Sequence, residues 1–179
     1  LVDKRHVPEL QAYIRQMEAF IRNPKEFAAT GNREIDSLLN YMLQRAREEL
    51  DTVQAKILLP EEIRHSFDIN VLLGNLLENA IDAARQTEKK YLSVHIALKK
   101  GVLKIKIDNS FSPSDIRQEK RGDRQIFLTT KPSEKSHGIG LKNVQQIVEK
   151  YNGAMETLPR DGLFCVSLIL YLPGDENPG

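Results

Sequence analysis

The 179-residue sequence predicts an α+β fold, a two-layer α/β sandwich in which helices cover a sheet. Two periodicities predict it. Apolar residues recur at helical spacing over roughly residues 8–22, 33–50, 68–85 and 140–151, whereas Leu92, Val94, Ile96, Leu98 and then Leu103, Ile105, Ile107 alternate strictly. Their order, helices then strands then helix then strands, suits one helical layer laid on one sheet.

The first helix carries Leu10, Ile14, Met17 and Ile21, with Pro8 in its first turn and Asn23–Pro24 ending it. The second starts after Asn32, a plausible N-cap following Gly31, and presents Ile35, Leu38, Leu39, Met42, Leu43 and Ala46. Two such helices can pair with each other or join a dimeric bundle. A short β-like run, Gln54 to Leu59, then leads through Pro60 to the third helix. Lys99, Lys100 and Gly101 form the turn of an antiparallel pair. After the fourth helix, Ala154–Leu158 and Leu163–Leu172 form a closing hairpin around Asp161 and Gly162.

Composition excludes several functions. A net charge of +1 supplies no field for nucleic acid or an anionic membrane. The one cysteine, Cys165, sits in an apolar run, which rules out an internal disulfide framework or a cysteine metal site and fits a reducing compartment. No apolar run approaches the ~18 residues of a membrane span, so a soluble chain is expected. It begins at Leu1 rather than Met, as a piece of something longer would.

The chemistry concentrates in NLLENAIDAA, residues 75–84. Asn75, Glu78, Asn79 and Asp82 fall within about a third of the helix circumference, and Leu72, Leu73, Leu76, Leu77, Ala80, Ile81 and Ala84 lie roughly opposite. Short amides are mediocre helix formers on a solvated face. Two of them at i and i+4 therefore point to ligation, and amide and carboxylate oxygens suit Mg²⁺ held together with substrate phosphates. Amides bonding to neighbouring loops is the alternative reading. At the end of the Leu103–Ile107 strand stand Asp108, Asn109 and Ser110, and the inward alternation continues onto Asn109, where an amide can read a purine edge. A polar strand-ending turn fits the same residues.

Between Ser110 and Ser136 the chain is polar, with Arg117, Lys120, Arg121, Arg124, Lys131 and Lys135 and one apolar patch, Ile126–Leu128. A structureless insert of this length reads as a lid over phosphate or as a solvated loop. His137–Val144, HGIGLKNV, reads as a glycine-rich turn running into a helix. Gly138 and Gly140 allow close approach, the helix start offers free N–H groups to an anion, and Lys142 adds a point charge.

Taken in order, these motifs resemble the GHKL ATPase superfamily: NLLENAIDAA its N box, IDNSF its first glycine box and HGIGLKNV its second, over roughly residues 53–172. Within it, TGNREIDSLLNYMLQRAREE resembles the second helix of the dimerisation and phosphotransfer region of sensor histidine kinases, most like the peptide-sensing quorum branch. The resemblance implies a Bergerat-type sandwich with a mixed, mostly antiparallel sheet, and a division into a partial dimerisation region, 1–51, and an ATP-binding domain, 52–179. It implies ATP and Mg²⁺ as cofactors, Asn79 holding Mg²⁺, Asn75 in the place of the polar or acidic catalytic residue, and Glu78 as a base candidate. Asn109 would take the adenine-contacting position, or Asp108 if the strand register slips. Asp82, His137, Gly138, Gly140, Leu141, Lys142 and Lys131 complete the nucleotide-contacting set.

The implied partners are a phosphoacceptor histidine helix, largely missing here, a response regulator and a second copy in the full-length kinase, whose soluble cytoplasmic portion this would be. His6 precedes a helix and is followed by Val7 and Pro8, unlike a phosphoacceptor followed by an acid. The sequence departs from the pattern at three places: the first glycine box lacks its glycines, Asp82 replaces a Lys, and Leu163 replaces a Thr near adenine. A degenerate docking module, an ATPase clamp and an anti-sigma serine kinase are the rivals.

Overall fold

The computed structural model describes residues 28–121, 124–129 and 137–175. The expected helix over residues 8–22, His6, Lys131 and Lys135 lie outside them. The elements are α1 (Arg33–Glu49), β1 (Thr52–Leu58), α2 (Ser66–Ala84), β2 (Tyr91–Lys99), β3 (Val102–Ser110), β4 (Ile116–Arg121), β5 (Arg124–Thr129), α3 (His137–Lys150), β6 (Ala154–Arg160) and β7 (Leu163–Tyr171). One five-stranded sheet has the order β1-β2-β3-β7-β6, with β1 parallel to β2 and every other pair antiparallel. The expected α+β sandwich and mixed sheet are therefore present.

Local chemistry explains the joints. Asn32 caps α1, its side-chain oxygen accepting from the Ile35 N–H at 3.2 Å. Lys100 and Gly101 join β2 to β3, and Asp161 and Gly162 join β6 to β7, all four with positive φ. That is the requirement of a two-residue hairpin turn matched to strand twist.

Alternate residues of the three central strands point at the helices: Leu92, Val94, Ile96 and Leu98; Leu103, Ile105 and Ile107; Phe164, Val166, Leu168 and Leu170. Against them lie Leu72, Leu73, Leu76, Leu77 and Ile81 of α2 and Val144, Ile147 and Val148 of α3. The same core includes Ile35, Leu39, Met42, Leu43 and Ala46 of α1. Lifting α1 away would expose four large apolar side chains, each worth about 1.5–3 kcal/mol. Helix α1, which lies before the expected division at residue 51, shares one core with the sheet, α2 and α3.

Two expectations change. The insert after Ser110 is not structureless: β4 and β5 pair from Ile116↔Thr129 to Arg121↔Arg124. The helix expected from residue 140 begins at His137, so His137, Gly138 and Gly140 form its first turn rather than a turn before it. No helix among the described residues is long and apolar enough to cross a membrane.

Candidate functional site

Helix α2 packs against α1, β3 and α3 and carries Asn75, Glu78, Asn79 and Asp82 as one polar stripe. Along that stripe the side chains divide. Asn75 is half-buried and donates from Nδ2 to the Val71 carbonyl at 2.8 Å. Glu78 is exposed and Asn79 half-buried.

Asp82 faces α1 instead. Its Oδ1 accepts from Arg45 at 3.0 Å and lies 3.8 Å from Arg85, while Arg45 also binds Glu49 at 2.8 Å. Burial works against the Arg45 charge, but the bond to Glu49 and the nearby Glu49 and Asp82 charges outweigh it and raise its pKa. Asp82 is thus engaged in holding α2 to α1.

Strand register decides between Asp108 and Asn109. Asn109 pairs with Leu92 and Phe164 on the helix-facing side and is only 2% exposed. Its Nδ2 donates to the Ser110 carbonyl at 2.9 Å, and Phe164 beside it meets Phe111 edge-on. Asp108 pairs with Ser93 and Cys165 on the opposite face, 3.4 Å from Lys106 Nζ. The register thus puts Asn109, and not Asp108, on the helix-facing side. Cys165, facing Asp108, is pushed up to about 11 by burial and by that carboxylate, which leaves an unreactive thiol.

Ser110 ends β3 with a role that sequence reasoning missed. Its hydroxyl accepts from the Tyr91 N–H at 3.0 Å and pairs with Thr87 Oγ1 at 2.8 Å, while Thr87 Oγ1 donates to the Ala84 carbonyl at 2.7 Å. This ties the C-terminus of α2 to the strand end that carries Asn109. At the other end of α2, Asp68 accepts from Lys150 Nζ at 2.7 Å and from the Tyr151 hydroxyl. These two bonds, Lys150 first, hold the Asp68 carboxyl below its ordinary range. No local sequence signal exposes a contact spanning 82 residues.

At the start of α3, the first N–H groups have no intrahelical acceptor and point along the helix dipole, as anion binding requires. Leu141 is half-buried and Lys142 exposed just beyond. Among the described residues no group of three His, Cys, Asp or Glu is placed to hold a metal. The oxygen donors here are few and hard, a set that fits a Mg²⁺ ion sharing one protein amide with phosphate oxygens rather than an all-protein cage.

Comparison with known proteins adds the following. Residues 65–171 match the family model described as a GHKL domain. A probable C4-dicarboxylate sensor kinase of Halalkalibacterium halodurans is 34% identical over 92 residues, which are 50% of this chain and 17% of that protein's length. The catalytic domain of histidine kinase ThkA in a nucleotide-free form superposes with a TM-score of 0.56 at 17% identity, over 80% of this chain and 95% of the other. The Acinetobacter baumannii histidine kinase AdeS superposes with a TM-score of 0.54 at 12% identity, over 93% and 79%. At these identities the two structural likenesses speak for the fold.

Proposed function

The chain belongs to the GHKL domain family, and from that premise we propose that it is the ATP-binding catalytic part of a sensor histidine kinase. The observation that carries the reading is the placement of Asn79 on a helix packed against both β3, which ends in buried Asn109, and α3, which starts at the glycines. In this reading the three separated motifs border one space.

In this reading the Asn79 amide oxygen holds Mg²⁺, with Asn75 one turn earlier polarising the same region and exposed Glu78 as the base candidate. The metal, when bound, neutralises charge on the phosphate oxygens. Backbone N–H groups from His137 to Gly140 orient the phosphates, with Leu141 packing behind them and Lys142 and Lys131 adding cations. Asn109 hydrogen-bonds the purine edge, and Phe164 supplies an apolar wall beside it. The chain's contribution is positioning and electrostatics, as phosphoryl transfer needs. The acceptor is a histidine on a helix supplied by another part of the full-length, dimeric kinase, and a response regulator receives the phosphate from it.

Calorimetric titration with a non-hydrolysable ATP analogue, with and without Mg²⁺ and with GTP as control, tests this. Saturable, adenine-selective binding strengthened by Mg²⁺ is expected, and Asn79→Ala should abolish the Mg²⁺-dependent part with the fold intact. Retention of that part would remove the metal assignment. Phosphotransfer to an acceptor helix added in trans then tests the kinase reading itself.

A further inference from the structure

The helices cover one face of the sheet, and the other face carries an ordered pattern. Register places Leu58, Ala97, Lys104, Ile169 and Ala154 in one row across all five strands. The adjacent row reads Lys56, His95, Lys106, Ser167 and Glu156. Between β2, β3, β7 and β6 the surface sinks into a groove of about 480 Å³, floored by Ala97, Ala154 and Ile169 and walled by His95, Lys104 and Lys106. Leu58 is 55% exposed at one rim, Leu158 and Tyr171 51% each at others.

A sheet face left to solvent is ordinarily filled with mixed polar residues. Here an apolar floor lies beside Lys56, Lys104 and Lys106, and the lysines outnumber the two carboxylates near them, Asp108, already shared with Lys106, and Glu156 on the edge strand. We propose that this face docks an acidic amphipathic segment of a partner protein, its apolar side chains in the groove and its carboxylates on the lysines.

The cations and rim apolars extend from β1 to β6, four strand spacings or about 19 Å, which is too wide for a small anion. The concavity suits a rod-like segment better than a flat bilayer. A single segment lying in one groove makes a contact at the small end of the range, so the complex is a transient one.

The test uses the full 179-residue chain and a fluorescein-labelled amphipathic peptide of Glu and Leu, with its Lys-for-Glu counterpart as control. The expected result is micromolar, salt-sensitive anisotropy of the acidic peptide only, with amide shifts at His95, Lys104, Lys106 and Ile169. Lys104→Glu with Lys106→Glu should weaken it at least tenfold, and Lys104→Gln with Lys106→Gln less. Equal binding of the basic peptide, or an unchanged affinity in the double variants, overturns the proposal. So do shifts confined to other surfaces, binding only to vesicles of anionic lipid, or a concentration-dependent dimer lost in the double variant. Shifts of residues 1–27 in that variant would assign the face to this chain's own segment and likewise overturn it. Nucleotide binding is read in parallel, and because the face lies across the sheet from the α2 stripe, its outcome stands independently.

Discussion

The Arg45–Asp82 contact makes a quantitative prediction about how α1 is held. The charges approach to 3.0 Å with side chains 25% and 13% exposed. Their attraction at that distance is about 1.4 kcal/mol in water and about 5–6 kcal/mol at an effective dielectric of 20. Desolvation and side-chain ordering remove most of this, leaving a net coupling of about 1–1.5 kcal/mol, above an exposed pair and below a fully buried one. The two truncations should be unequal. Asp82→Ala leaves Arg45 on Glu49 at 2.8 Å and costs about 1 kcal/mol; Arg45→Ala removes the guanidinium from both Glu49 and Asp82 and costs about 2 kcal/mol. Urea unfolding of both single variants and the double variant, in low and high salt, gives the coupling directly. A coupling below about 0.3 kcal/mol, or Asp82→Ala as the costlier change, would refute the reasoning.

Three more outcomes follow from particular contacts. Asn109→Ala should weaken nucleotide-analogue binding about tenfold, one hydrogen bond's worth, whereas Asp108→Asn on the far face should leave it within about twofold; calorimetry distinguishes them. Gly153→Ala drives a Cβ onto the Ile169 carbonyl oxygen and to 2.6 Å from Leu170 Cδ2, so β7 must shift; a loss of about 3 kcal/mol in thermal unfolding is expected. Asp68 has a lowered folded-state pKa, so its contribution is fully present above its unfolded value near 4 and disappears as pH falls through the folded one. Asp68→Asn should therefore cost about 1 kcal/mol at pH 7 and progressively less as the pH falls below 4, read from urea midpoints.

Much of the sheet was legible in the sequence because its physics is local. Period-two alternation identified β2 and β3, and Lys99–Gly101 and Asp161–Gly162 marked the turns of the two hairpins. Helix α1 shows where legibility stops. Its stripe from Ile35 to Ala46 states which face is buried but not against what, and the same stripe serves a dimeric bundle or a neighbour's core. The ion pair of Asp82 was hidden for a related reason. Asp82 shares a helical stripe with Asn79, yet the Arg45 guanidinium reaches around from α1 and claims it, and a long side chain 37 residues away leaves no trace in local spacing. β4 and β5 were hidden because their apolar residues are few and their charges many, so alternation carried no amplitude.

Three contacts missed from sequence serve one helix. Asp68 ties the start of α2 to the end of α3, Asp82 ties its last turns to α1, and Thr87 just past its end ties it to Ser110 beside Asn109. Held at both ends and on one side, α2 keeps little freedom to slide or rotate against the strand and the helix start it faces. For an amide to share a metal with phosphates, its oxygen must sit within a few tenths of an ångström of one place, and positioning of that kind comes from supports around the ligand rather than from the ligand itself. Loosening the Asp68, Asp82 and Thr87 contacts singly should therefore lower nucleotide affinity through α2's position while leaving the stripe's own residues unchanged.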